Sequence, residues 1–154
     1  MIDSEERHPV EGQLLTTCGM RKDEQLRRLG IFLIAHTVMD THLISVLVAH
    51  KIVDGVGLLS FDEQKASTSS DSRSTFKGHL QAARPLIPEA AAKIAEEINR
   101  GRDAFVHWKR DRFELPHYNG HAVTTAEGFR VCMDDVQAFL HLVPFRYVAW
   151  QANP

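Results

Sequence analysis

Leu26, Leu29, Leu33, His36, Asp40, Leu43, Leu47 and His50 fall on an unbroken three-four spacing, the signature of one face of an α-helix. A second stripe of Ile31, Ile34, Val38, Ser45, Val48 and Ile52 runs beside it. Together they predict one long helix from Lys22 to about Ile52, apolar over much of its circumference as a central helix is, with Asp54-Gly55 as its stop. Before it, residues 1 to about 20 show no periodicity and predict an irregular arm. After it, Ser60-Phe61-Asp62-Glu63 has the spacing of a capping box, and the Ser-rich run 66–74 reads as a mobile surface loop. Thr75 to about Arg84 predicts another helix. Pro88-Glu89 suits the first turn of the next, which runs to about Lys109 with Ala91, Ile94, Ile98, Gly101, Phe105 and Trp108 as its seam.

Beyond residue 110 the character changes. Val123-Thr124-Thr125 and Phe129-Arg130-Val131, joined by Ala126-Glu127-Gly128, predict a small β-hairpin. Thr124-x-x-Glu127 also fits a capping box, but Gly128 and the flanking β-formers favour the hairpin. Asp134 then caps a last helix through Val143, ended by Pro144. No internal repeat is visible. The expectation is a mainly α domain, a four- or five-helix bundle with a small β-hairpin near the C-terminus.

Composition fits one globular domain: 154 residues, 44% hydrophobic and 25% charged, enough chain to bury a core. A formal charge of −2 excludes an overall basic coat but not a local basic patch. Cys18 and Cys132 are too few and too far apart for a disulfide framework or a zinc site, which points to a reducing, cytoplasmic setting. The acidic, polar start has no signal-peptide character. The apolar run from Ile31 is interrupted by His36, Asp40 and His42, so no membrane partner is expected.

The candidate chemistry lies between Asn99 and Arg112. With Ile98 set to zero at about 100° per residue, Arg102 falls at about 40°, inside the apolar sector. A guanidinium there demands a carboxylate, a phosphate or a route to solvent, and Asp40 on the long helix is the expected carboxylate. Asp103 and His107 fall at about 140° and 180°, one turn apart on the far side. A carboxylate at that spacing can orient an imidazole. The segment Glu97-Ile-Asn-Arg-Gly-Arg-Asp-Ala-Phe-Val-His107 resembles the motif of HEPN domains, small helical bundles often found as bacterial RNases and toxins. That motif is Arg, a polar residue, then His after four to six intervening residues; Arg102, Asp103 and His107 match it with four. The spacing alone is unspecific, since Arg73/His79, Arg100/His107, Arg110/His117 and Arg112/His117 satisfy it too. Only Arg102–His107 adds the polar residue, the helical context and the apolar helix before it. The likeness spans roughly residues 22–110.

The resemblance implies metal-independent RNA cleavage without a cofactor, in a cleft between two protomers. His107 would be the general acid or base, Arg102 would stabilise phosphorane charge, and Asp103 would orient the imidazole. Arg100, Lys109, Arg110 and Arg112 would supply the local basic surface for RNA. The implied partners are a second copy, RNA and a cognate antitoxin protein. Two other readings stand beside it. One is a noncatalytic dimerisation or regulatory module in which Arg102 is only an ion pair. The other is a metal-binding bundle, because His36/Asp40 and His117/His121 have ligand spacing. In the bland version His36 and Asp40 bond each other, or Arg102, in a polar core layer.

Overall fold

The computed structural model describes residues 8–17, 20, 23–51, 75–107 and 115–146. Among these lie five helices and one two-stranded sheet: α1 (Pro9–Thr17), α2 (Asp23–Lys51), α3 (Phe76–Ala83), α4 (Glu89–Val106), β1 (His117–Tyr118), β2 (His121–Ala122) and α5 (Ala126–Leu142). The expected stop at Asp54-Gly55, the capping box at 60–63, the loop at 66–74 and Trp108 lie outside the described residues.

Helix α1 occupies part of the segment expected to be irregular. It carries no apolar stripe, with Val10 and Leu14 both exposed, and is held by local bonds instead. Glu11 Oε1 accepts the His8 backbone N–H at 3.1 Å, and Thr16 donates its hydroxyl to the Gly12 carbonyl. Such a helix gives pattern analysis nothing to detect.

Helix α2 follows its first stripe. Leu29, His36, Leu43 and Leu47 are buried, with Phe32 and Met39 filling the same face. Asp23 and Glu24 occupy its first turn, where negative charge favours the helix dipole. The second stripe is covered only in part, with Ser45 buried and Ile31 and Val48 half-buried. Ile34 is 63% and Val38 38% exposed, because the helices that contact α2 leave its outer face open. By length and composition α2 is apolar enough to cross a membrane, and half of its most apolar window is buried inside the fold.

Thr75 caps α3, its hydroxyl accepting from Gly78 N. A 3-10 turn, Arg84–Leu86, leads to Pro88 at the N-cap of α4. Arg84 closes that corner by bonding both Glu89 and Glu96.

The hairpin sits earlier than the sequence pattern suggested. It pairs His117 with Ala122 and Tyr118 with His121, antiparallel, around Asn119 (φ 47°) and Gly120 (φ 81°). Two central residues at positive φ are what a two-residue type I′ turn requires, and Asn-Gly supplies them most cheaply. The expected strands at 123–131 give way to the start of α5, capped by Thr125, whose hydroxyl accepts from Gly128 N. Gly128 is required there: a Cβ would lie 2.1 Å from the Ala122 carbonyl oxygen. Asp134, expected as a cap, lies inside α5 and pairs with Arg130. The helix ends at Leu142, just before Pro144.

The core joins Phe32, Met39 and Leu43 of α2 with Phe76 and Leu80 of α3, Ile98 of α4, and Cys132 and Phe139 of α5. Tyr118 is buried among them, and its hydroxyl donates to Asp135 Oδ2 at 2.5 Å. Burial, with that carboxylate beside it, holds the phenol protonated far above neutrality. Burial also pushes the Cys132 thiol up to about 12, leaving almost no thiolate at neutral pH.

Candidate functional site

The inner face of α4 is built from small residues. Ala91, Ala92, Ala95 and Gly101 are buried with Ile98, so neighbouring backbone can come close. At Gly101 a Cβ would stand 2.6 Å from the His117 carbonyl oxygen and 3.4 Å from the Phe32 ring. The hairpin and α2 thus clamp α4 immediately before Arg102. Asn119 N–H also reaches Glu97 Oε1 at 3.3 Å.

From this clamped helix a chain of polar side chains runs outward. His36 Nε2, on α2, lies 3.0 Å from Asn99 Oδ1. Asn99 Nδ2 donates to Asp103 Oδ2 at 3.2 Å, and Arg102 Nη1 donates to Asp103 Oδ1 at 3.0 Å. The inner end is buried, with His36 stacked on Phe76 at 4.3 Å between centroids. The outer end is accessible: the Arg102 side chain retains 34% of its exposure and Asp103 43%. Desolvation holds the His36 imidazole below its usual range; the Asn99 bond opposes this, the Arg102 charge adds to it, and Asp40 and Asp103 pull the other way.

Asp40 takes a different partner. It accepts from His79 Nδ1 of α3 at 2.6 Å, so the expected Arg102–Asp40 pair does not form, nor does a His36–Asp40 bond. The reason is geometric: Arg102 has a carboxylate on the adjacent residue, while the buried His79 faces Asp40 across the α2–α3 contact. The far nitrogen of His79 is buried without a hydrogen-bond partner among the described residues.

His107 follows α4 as its C-cap, its backbone N–H donating to the Asp103 carbonyl. Its imidazole is exposed, one helical turn beyond Asp103 as the spacing required. The Asp103 carboxylate accepts from Asn99 and Arg102 and makes no hydrogen bond to this imidazole. Arg100 is exposed and bonded to Glu97. Lys109, Arg110 and Arg112 lie outside the described residues.

Among the described residues no group of three His, Cys, Asp or Glu side chains is placed to hold a metal ion. His36 and Asp40 are turned to separate partners, and His117 and His121 stand exposed on the hairpin. Sequence reasoning singled out Arg102, Asp103, His36 and Asp40, but expected Asp40 to bond His36 or Arg102, which it does not. It missed Asn99 and His79, which complete the polar layer. Their signal was faint: Asn99 lies one turn before Asp103, a spacing suited to an amide–carboxylate bond, and His79 lies three residues after Phe76 on the same apolar face.

No family model, curated protein or solved structure matches the chain.

Proposed function

We propose that the chain is a HEPN-like RNA-directed domain acting as a metal-independent endoribonuclease, with its site completed by a second copy. The observation that carries this reading is the state of Arg102. A guanidinium offers five N–H donors, and among the described residues Arg102 spends one, on the carboxylate next to it. It is not consumed by the core, as a structural ion pair would be. Its other donors have no partner among the described residues and suit phosphate oxygens, the bidentate geometry at which arginine excels.

In the proposed reaction His107 removes the 2′-hydroxyl proton of the ribose. The resulting oxygen attacks the neighbouring phosphorus to form a 2′,3′-cyclic phosphate, and the 5′-oxygen leaves, taking a proton from water. Arg102 stabilises the charge that builds on the phosphorane. One observation favours a second reading, a noncatalytic RNA-binding or dimerisation module: among the described residues no carboxylate orients the His107 imidazole.

A cleavage assay separates the two. Wild-type protein should cleave single-stranded RNA and spare DNA, with and without EDTA. His107→Ala should lower cleavage by about 10²–10⁴-fold, as for loss of a general acid or base, while RNA affinity holds. Inactive wild type that still binds RNA would favour the noncatalytic module. Cleavage abolished by EDTA would overturn the metal-independent mechanism.

A further inference from the structure

The donors and acceptors along the polar chain can be assigned without ambiguity from its outer end. Arg102 only donates, and an ionised Asp103 only accepts. The Asn99 group facing Asp103 is therefore its NH₂, which turns the amide oxygen toward α2. An amide oxygen accepts, so the His36 nitrogen that faces it carries a proton. The neutral imidazole is thus the tautomer with hydrogen on Nε2, fixed by a contact two residues removed from Arg102. Burial keeps the ring neutral, and stacking on Phe76 keeps it in place.

We propose that His36 and Asn99 are positioning residues, which hold the Asp103 carboxylate and through it set the direction in which the Arg102 guanidinium is presented to a phosphate. The polar chain starts from a buried ring, His36, and passes through the half-buried Asn99, so the cation is oriented before any ligand arrives. Preorganised charge of this kind needs no reorganisation on binding. A flexible arginine on an exposed helix would have to give up side-chain freedom first. The proposal rests on the RNA-directed reading above for its ligand, but not for its geometry.

Two substitutions at His36 separate positioning from packing. His36→Gln keeps an N–H donor for Asn99 but loses the ring on Phe76. His36→Phe keeps a ring on Phe76 but loses the donor. Three quantities are read: the melting temperature, the NMR signals of the Arg102 guanidinium, and affinity for a 2′-O-methyl oligoribonucleotide, which binds but cannot be cleaved through its blocked hydroxyl. If His36 positions Arg102, His36→Gln keeps a hindered, resolved guanidinium and near-wild-type affinity, whatever its melting temperature. His36→Phe frees the guanidinium to rotate and weakens binding about tenfold, the worth of one oriented hydrogen bond. Asn99→Leu should reproduce the His36→Phe pattern, and combining the two should add little, as for residues in one path. Guanidinium signals unchanged in His36→Phe and Asn99→Leu would overturn the proposal, as would losses that track melting temperature rather than the donor. If wild type does not bind RNA, the RNA-directed reading fails, and the guanidinium signals alone decide the positioning role.

Discussion

Burial has a cost at His36 that acidity exposes. The ring is forced below its ordinary value of 6.5 by desolvation, only partly offset by the Asn99 bond, and the nearby Arg102 charge adds to the shift. An unfolded chain therefore binds a proton at this residue more readily than the folded chain does. Stability contributed by a neutral His36 is fully present above 6.5 and falls as pH drops through that value toward the lowered folded one. We expect the melting temperature to decline between neutral and mildly acidic buffers on either side of 6.5, and His36→Phe to flatten that part of the curve. An equally steep decline in the variant would show that another group takes up the proton. The Asp40–His79 contact tests the neighbouring half of the layer. Asp40→Asn replaces a charge-assisted bond to a buried imidazole with a neutral one, a loss of about 1–2 kcal/mol, visible as a lower melting temperature at neutral pH. A melt unchanged by Asp40→Asn would show that the bond adds nothing net to stability.

At the scale of elements, two glycines near the site fail for different reasons when given a side chain. Gly101 sits mid-helix, where alanine gains about 1 kcal/mol of intrinsic preference. Yet its Cβ would stand 2.6 Å from a backbone carbonyl of the hairpin, and overpacking of that kind costs about 1–3 kcal/mol. Gly120 has open space around it but a φ of +81°, which penalises an L-residue by about 1–2 kcal/mol. Denaturant melts should show both alanine variants destabilised. Only Gly101→Ala should also move the α4–hairpin contact and the Arg102 guanidinium signals. A Gly101→Ala protein with wild-type stability would mean that the hairpin yields freely. These elements also show what a sequence can disclose. Helices α2, α3 and α4 were legible because burying one face imposes a three-four spacing on the chain. The last helix carries that spacing too, in Phe129, Cys132, Val136 and Phe139, but the pattern reads 126–128 as a hairpin turn and 129–131 as its second strand, because Val123, Thr124 and Val131 are good strand formers. The true hairpin has two residues per strand, too few for alternation to register, and only Asn119-Gly120 announced it. At the site, Arg102, Asp103 and His107 were legible as a local motif. The pairings of the polar layer behind them were not, because His36 meets Asn99 across 63 residues and Asp40 meets His79 across 39.

For the molecule as a whole, the arrangement along α4 bears on how a complete site is assembled. Five residues of helix separate Arg102 from His107 by about 140° around the axis. The guanidinium is turned toward Asp103, which lies within about 40° of His107 around the axis, and the imidazole stands exposed one turn further on, at the helix end. The outer face of α2, about 160–200° around the helix from His36, is an uncharged surface turned away from α4. Ile34 and Val38 are exposed there, and Thr37 and Thr41 turn their hydroxyls back onto the Leu33 and Thr37 carbonyls, leaving methyl groups outward. If two copies associate as proposed, light scattering should report twice 17.4 kDa, and one phosphate should meet Arg102 of one copy and His107 of the other. Mixing variants tests this directly. In a mixed dimer of Arg102→Ala and His107→Ala, one site has lost both groups and the other retains both. Equal mixing yields half mixed dimers with one working site of two, so cleavage should recover to about a quarter of wild type in a two-fold assembly. Were both groups drawn from the same chain, every site in the mixed dimer would lack one of them and nothing would be recovered. Co-refolding the two inactive variants and assaying RNA cleavage therefore distinguishes the arrangements, and a failure to recover activity despite measured mixed dimers would rule out a site shared between copies.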